Sequence, residues 1–185
     1  MNEINLSLIV EEGHPAYEWA KRQSDAVSAF GHIGTHIDCY DCEPELTDYE
    51  VDAVTINCTD HMPLINDVDS VDIAGKALVL FTGNVDNNGY GTPEYGAMAT
   101  SLHSDVLDYI LLKSPLFIVI DSYGIGAHGD EHIRFDKRCE SARCFVIENV
   151  NLSLAVVSSL RKLKISFDKL SKSTGKRCQV TAILA

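Results

Sequence analysis

Three short apolar runs, each closing on a polar residue or turn, limit what this chain can fold into. Residues 76–81 stop at Thr82-Gly83-Asn84, 116–120 end in Asp121, and 144–147 end in Glu148. Runs of this length and composition read as buried strands. Residues 51–56 and 179–184 have strand character too, as does 4–10, an apolar and partly alternating segment that stops at Glu11-Glu12-Gly13. A short strand is expected over 26–30. Helical spacing is clearest over 101–113, where Leu102, Val106, Ile110 and Leu111 share a face, and a second helix is expected over 152–160. Residues 87–93 read as a loop from their Asn, Gly and Pro content. Many strands with few long helices, in mixed order, predict an α+β or three-layer β/β/α domain. With 185 residues, 45% hydrophobic and 23% charged, the chain is expected to form one domain over 1–185.

The formal net charge is −12. A surface this acidic excludes a nucleic-acid partner, which needs basic groups to neutralise phosphate. Met1-Asn2-Glu3 does not open a secretory signal, and the apolar stretch around 107–120 is broken by Lys113-Ser114-Pro115. A cytoplasmic protein without a membrane span is therefore expected. The six cysteines, Cys39, Cys42, Cys58, Cys139, Cys144 and Cys178, are expected to be reduced thiols in that compartment. Cys39 and Cys42 have C-x-x-C spacing, but no second pair is spaced to complete a zinc site, so the spacing reads as incidental.

Chemistry concentrates in two places. In His32-Ile33-Gly34-Thr35-His36-Ile37-Asp38 two imidazoles and a carboxylate surround a glycine turn, and these can converge on one divalent metal. A polar surface loop is the alternative that spacing alone leaves open. The second cluster is Asp130-Glu131-His132 with Asp136, followed by Glu148. A carboxylate ending a buried strand needs a partner, for which a metal would serve; a solvated strand end or a salt bridge to a nearby arginine is the alternative. His14, His61, His103 and His128 stand singly and read as surface or hydrogen-bonded histidines. Trp19, Tyr17 and Tyr40 are core or pocket aromatics, and Arg177 is a surface arginine or a holder of a substrate carboxylate.

The first cluster resembles the signature His-x-Gly-Thr-His-x-Asp-x-Pro-x-His of the cyclase/kynurenine-formamidase family of metal-dependent amidohydrolases. The resemblance continues through the opening segment from Leu6 to Tyr17, Leu80-Phe81-Thr82-Gly83, Ile118-Val119-Ile120-Asp121-Ser122, and Phe145-Val146-Ile147-Glu148-Asn149-Val150-Asn151-Leu152. It implies a swivelling β/β/α fold, one or two divalent ions (zinc or manganese), and a homodimer or homotetramer. It also implies a small-molecule substrate whose amide, formamide or lactam bond is hydrolysed by metal-activated water. His32, His36, Asp38 and Glu148 match ligand positions, and Asp136 stands where the family has a further ligand histidine, with His132 close by. The glutamate, histidine, aspartate and cysteine at 131, 132, 136 and 139 are similar to a short subgroup of metal-dependent hydrolases.

Two departures qualify this. Tyr40 replaces the signature proline, and Cys42 replaces the third histidine, an acid/base in formamidases. A thiol can ligate a metal or act as a nucleophile, but it does not simply replace an imidazole proton shuttle. The metal site therefore carries over better than the substrate. Protonation of the leaving nitrogen falls to His132, with Asp136 as competitor. A non-catalytic descendant that binds a small molecule or a metal is the rival reading. The two are separated by whether His132, Asp136 and Glu148 converge on the His32 cluster.

Overall fold

The computed structural model describes residues 2–185. In chain order the elements are β1 (Asn2–Asn5), α1 (Pro15–Lys21), α2 (Ala26–Gly31), β2 (His36–Asp38), β3 (Asp48–Asn57), α3 (Ile65–Asp69), β4 (Ala77–Phe81), α4 (Asn84–Asn88), α5 (Pro93–Ala97), α6 (Ser104–Leu112), β5 (Phe117–Ile120), α7 (Asp130–Ser141), β6 (Phe145–Glu148), α8 (Leu154–Val157), β7 (Leu160–Phe167) and β8 (Gly175–Leu184). The α+β class read from the sequence is the class observed.

The strands form one sheet in the order β1-β8-β2-β6-β5-β4-β3-β7, and a further β7–β8 pairing closes seven of them into a barrel-like ring. Strands β3, β4, β5 and β6 run parallel, whereas β2, β7 and β8 join by antiparallel pairing. Two apolar cores lie on the two faces of the parallel strands. Val79, Val119 and Ile147 point into the ring, towards Ile37, Leu163 and Val180. Leu78, Leu80, Ile118 and Val146 point the other way, against Val68 of α3, Ile110 of α6 and Phe135 of α7. Period-two alternation thus sends successive residues of one run into different cores, which is why β4, β5 and β6 read as continuously apolar.

Several expected boundaries move. The strand expected over 26–30 is helix α2, because the Asp25 side chain caps it by accepting from Ser28 N at 3.1 Å. The helix expected over 152–160 is only α8, and its last residue, Leu160, already begins β7. Strand β7 escapes the alternation test because a register irregularity between Leu160 and Lys162 shifts its apolar positions. The segment 4–10 pairs only through Asn5, with Ser7 forming a single bridge to Val150. The loop expected over 87–93 shrinks to a turn between α4 and α5. Among the described residues no helix is long and apolar enough to cross a membrane, and all six cysteines are free.

Candidate metal centre

The site lies where β2 passes the carboxyl ends of the parallel strands, the edge at which open α/β sheets generally bind ligands. Strand β2 places His36 and Asp38 on one face and sends Ile37, fully buried, to the ring core. His36 is the register partner of Glu148 on β6, and Ile37 that of Ile147. Cross-strand partners share a face, so the glutamate comes to the histidine by pairing alone. His32 enters from the C-terminal cap of α2. Helix α7 supplies His132 and Asp136, one turn apart and therefore on one side.

The donor atoms crowd together. His32 Nδ1 lies 3.3 Å from His36 Nε2 and 3.1 Å from Asp38 Oδ1. His36 Nε2 is 3.7 Å from Asp38 Oδ1 and 3.4 Å from Glu148 Oε2. His132 Nε2 is 3.4 Å from Asp136 Oδ2 and 3.5 Å from Glu148 Oε1. These atoms form two groups able to hold an ion, His32-His36-Asp38 and Asp38-His132-Asp136-Glu148, which share Asp38. Both carboxylate oxygens of Asp38, both of Asp136 and Oε1 of Glu148 are buried without a hydrogen-bond partner. Leaving so many buried acceptors unsatisfied is costly. A divalent cation is the partner that fits them, since imidazole nitrogens and carboxylate oxygens are its ordinary ligands.

The electrostatics point the same way. Burial pushes the Asp136 and Glu148 carboxyls well above the usual carboxylate range, with Asp38 adding repulsion to both. Burial lowers His36 to about 4, helped by His32 and His132 and opposed by Asp38 and the Gly34 carbonyl. It also lowers His132. Neutral imidazoles are what a metal site requires.

Outer contacts set the ligand orientations. His36 Nδ1 faces the Gly34 carbonyl at 2.9 Å, which leaves Nε2 free to face the cluster. Asn149 Nδ2 donates to the same carbonyl at 3.0 Å, and the Tyr95 hydroxyl donates to Asn149 Oδ1. Thr35 Oγ1 donates to Asn149 O at 2.7 Å and accepts from Leu8 N at 2.7 Å. His32 Nε2 meets Thr174 Oγ1 at 2.9 Å, turning Nδ1 inward. Two glycines are required here. A Cβ on Gly34 (φ 69°) would sit 2.4 Å from Leu8 O, and one on Gly124 (φ 137°) 2.5 Å from both Glu148 Oε1 and His132 Cε1.

A cleft of about 570 Å³ opens onto the donors, walled by Trp19, Tyr40, Tyr90, Tyr95, Tyr123 and His128. His128 stacks on Tyr123 with ring centroids 3.9 Å apart. His32, His36, His132 and Glu148 also reach this cleft. Tyr17 packs edge-on against Phe30 instead. Arg177 lines a different hollow, of about 440 Å³, with Leu8, Val10 and Phe167. Cys42 belongs to neither donor group: its thiol donates to the Glu140 carbonyl at 3.6 Å. His61 is exposed, and so is His103, beside Asp105.

The sequence reading did not single out Glu140, Gly124, Tyr90, Tyr95 or Asn149. Helix α7 itself was hidden because its inward side carries Asp136 and Glu140 beside Phe135 and Cys139. The four-residue spacing of His132, Asp136 and Glu140 was the available signal.

No protein-family model matches the sequence, and no curated protein matches it significantly. Solved structures do. A potential metal-dependent hydrolase with cyclase activity has a TM-score of 0.66 at 17% identity, covering 98% of this chain and 96% of its own. A predicted metal-dependent hydrolase from Bacillus stearothermophilus gives 0.67 at 16% identity, covering 98% and 97%. An isatin hydrolase bound to the product analogue thioisatinate gives 0.60 at 16% identity, covering 100% and 83%. The chain has the fold of these cyclase-type, metal-dependent hydrolase structures over nearly its whole length.

Proposed function

We propose that the chain is a metal-dependent hydrolase of the cyclase family, acting on an amide, formamide or lactam bond of a small molecule. The observation that carries this reading is the convergence of His32, His36, Asp38, His132, Asp136 and Glu148, with buried carboxylate oxygens left unpartnered. The swivelling β/β/α description, a single domain over 1–185 and a homodimer or homotetramer belong to the same proposal. Light scattering on the purified protein checks the assembly.

The two donor groups, His32-His36-Asp38 and Asp38-His132-Asp136-Glu148, would each hold one divalent ion, zinc or manganese. Such ions would polarise a carbonyl oxygen and lower the pKa of a water, so that attack occurs near neutral pH. The protein's own residues do the rest. The Gly34 carbonyl and Asn149 hold His36 in one orientation. The aromatic walls would flank the substrate. His132 stands among the donors, which makes it a ligand before a proton donor. Protonation of the leaving nitrogen falls to His132 or Asp136 where not engaged by an ion, or to His128 on the cleft wall, whose Nε2 faces the Gly96 carbonyl at 3.2 Å.

The non-catalytic alternative expects His132, Asp136 and Glu148 to splay away from the His32 cluster; Glu148 instead lies 3.4 Å from His36, and all three share a donor group with Asp38, which favours the hydrolase. The test is turnover of isatin, simple lactams and aryl formamides by metal-reconstituted protein, followed as appearance of the carboxylate product. Activity abolished by a chelator and restored by zinc or manganese supports the reading. A metal-loaded protein that binds these compounds without turning any of them over favours the non-catalytic one.

A further inference from the structure

Glu140 is buried at 2% exposure, two helical turns beyond His132 and one beyond Asp136 on α7. Its carboxylate accepts from three consecutive backbone N–H groups in the loop leaving β2. Oε1 takes Tyr40 N, and Oε2 takes Asp41 N at 2.8 Å and Cys42 N at 3.2 Å. The Cys42 thiol adds a contact to the Glu140 carbonyl, and Lys137 pairs with Asp41 at 3.0 Å. Charge-assisted bonds from a carboxylate to backbone N–H groups are among the stronger polar contacts. Nothing in the proposed chemistry uses this one directly.

What it joins matters. His32, His36 and Asp38 all come from one stretch of chain, α2 to β2, so the first donor group is assembled locally. The second draws Asp38 from β2, His132 and Asp136 from α7, and Glu148 from β6. Strand β2 pairs with β6 and β8, not with α7. The polar ties from the β2 exit to α7 are the buried Glu140 cradle and, at the surface, the Lys137–Asp41 pair, and the cradle makes three of the bonds.

We propose that Glu140 is a positioning residue, a latch that holds Asp38 against His132 and Asp136 and so sets the affinity of the second donor group for its ion. This rests on the two-ion reading above. An amide at this position has a single acceptor oxygen and cannot serve all three donors, so Glu140→Gln should loosen the β2 exit while preserving volume.

The test is titration of the chelator-stripped protein with Mn2+ and with Co2+, reading stoichiometry and the cobalt absorption spectrum. Wild type is compared with Glu140→Gln and with Leu163→Ala, a control that destabilises the ring core at a residue belonging to neither donor group nor the Glu140 cradle. We expect the second Mn2+ to bind at least about tenfold more weakly in Glu140→Gln, the scale of outer-contact effects on metal affinity. The first ion should be retained and the cobalt spectrum altered, and Leu163→Ala should keep both ions with the wild-type spectrum. Two ions bound with unchanged affinities in Glu140→Gln overturn the latch and leave the metal reading standing, as does equal weakening in both variants. A wild-type protein that takes up no ion overturns the metal reading, and the latch with it.

Discussion

His36 on β2 faces Glu148 on β6 across an antiparallel pair, its Nε2 3.4 Å from Glu148 Oε2. That single register joins the two sequence clusters. It also aligns Ile37 with Ile147 beneath them, both fully buried in the ring core. Slipping β2 by one residue would turn His36 and Asp38 into the apolar core and Ile37 towards the cleft. The packing of Ile37 thus fixes the chemistry on the other face.

The cluster should cost stability when no ion is bound. Asp136→Asn removes an acid whose ionised form is disfavoured by burial and by Asp38, so above the pH at which Asp136 loses its proton the relief is about 1–3 kcal/mol. We expect the chelator-treated variant to melt higher than chelator-treated wild type, by roughly 2–4 °C for each kcal/mol gained. With saturating zinc or manganese the order should reverse. A metal-free variant less stable than wild type contradicts the account.

Metal affinity should rise with pH. Asp136 and Glu148, their carboxyl pKa values raised by burial, retain protons in the metal-free protein to higher pH than ordinary carboxylates. An incoming ion must displace those protons, so binding strengthens as pH climbs through the raised values. His36, lowered to about 4, is neutral throughout and adds no competition above that value. Calorimetry across about pH 5.5 to 8 in buffers of different ionisation enthalpy should show proton release that shrinks as pH rises. Uptake of protons on binding would be inconsistent with this.

Gly124→Ala should damage the site more than its size implies. The added Cβ meets Glu148 Oε1 and His132 at 2.5 Å, at a backbone angle of φ 137° that L side chains rarely adopt. Strain at such positions costs about 1–3 kcal/mol. Chemical denaturation should register that loss, and metal content should fall with it. Gly75→Ala is the comparison: it too has positive φ, but nothing lies within 4 Å of the new Cβ, so metal content should hold.

Thiol reactivity should single out one cysteine. Burial pushes the Cys58 thiol up to about 12 and raises those of Cys39 and Cys178 as well. Cys42 is only half-buried. In native protein iodoacetamide should modify Cys42 first, by mass spectrometry, with the others reacting on unfolding. Prior labelling of Cys58 would contradict the burial described.

The parts of the site that the sequence revealed are those whose signal is local. His32, His36 and Asp38 lie within one turn and strand, and Glu148 announced itself by ending an apolar run. The strands β4, β5 and β6 were legible because burial on both faces leaves no polar residue to blur them. Helix α7 was not, since the cluster it faces selects Asp136 and Glu140 where a core-facing helix would carry leucines. Ring closure through β7 and β8 was invisible for another reason: pairing between strands is a long-range choice, and the irregularity at Leu160 masks the period of β7. Asp25 could have corrected 26–30, as a capping residue ahead of two alanines is a helix signal.

Whether the six side chains hold divalent metal is read by elemental mass spectrometry. The measurement is made on untagged protein purified without chelators, beside His36→Ala. We expect two ions of zinc or manganese per chain, one for each donor group, with the His36→Ala protein losing at least one of them. A wild-type protein that is metal-free and takes up no added zinc or manganese would contradict this, as would a His36→Ala protein that keeps its full metal content.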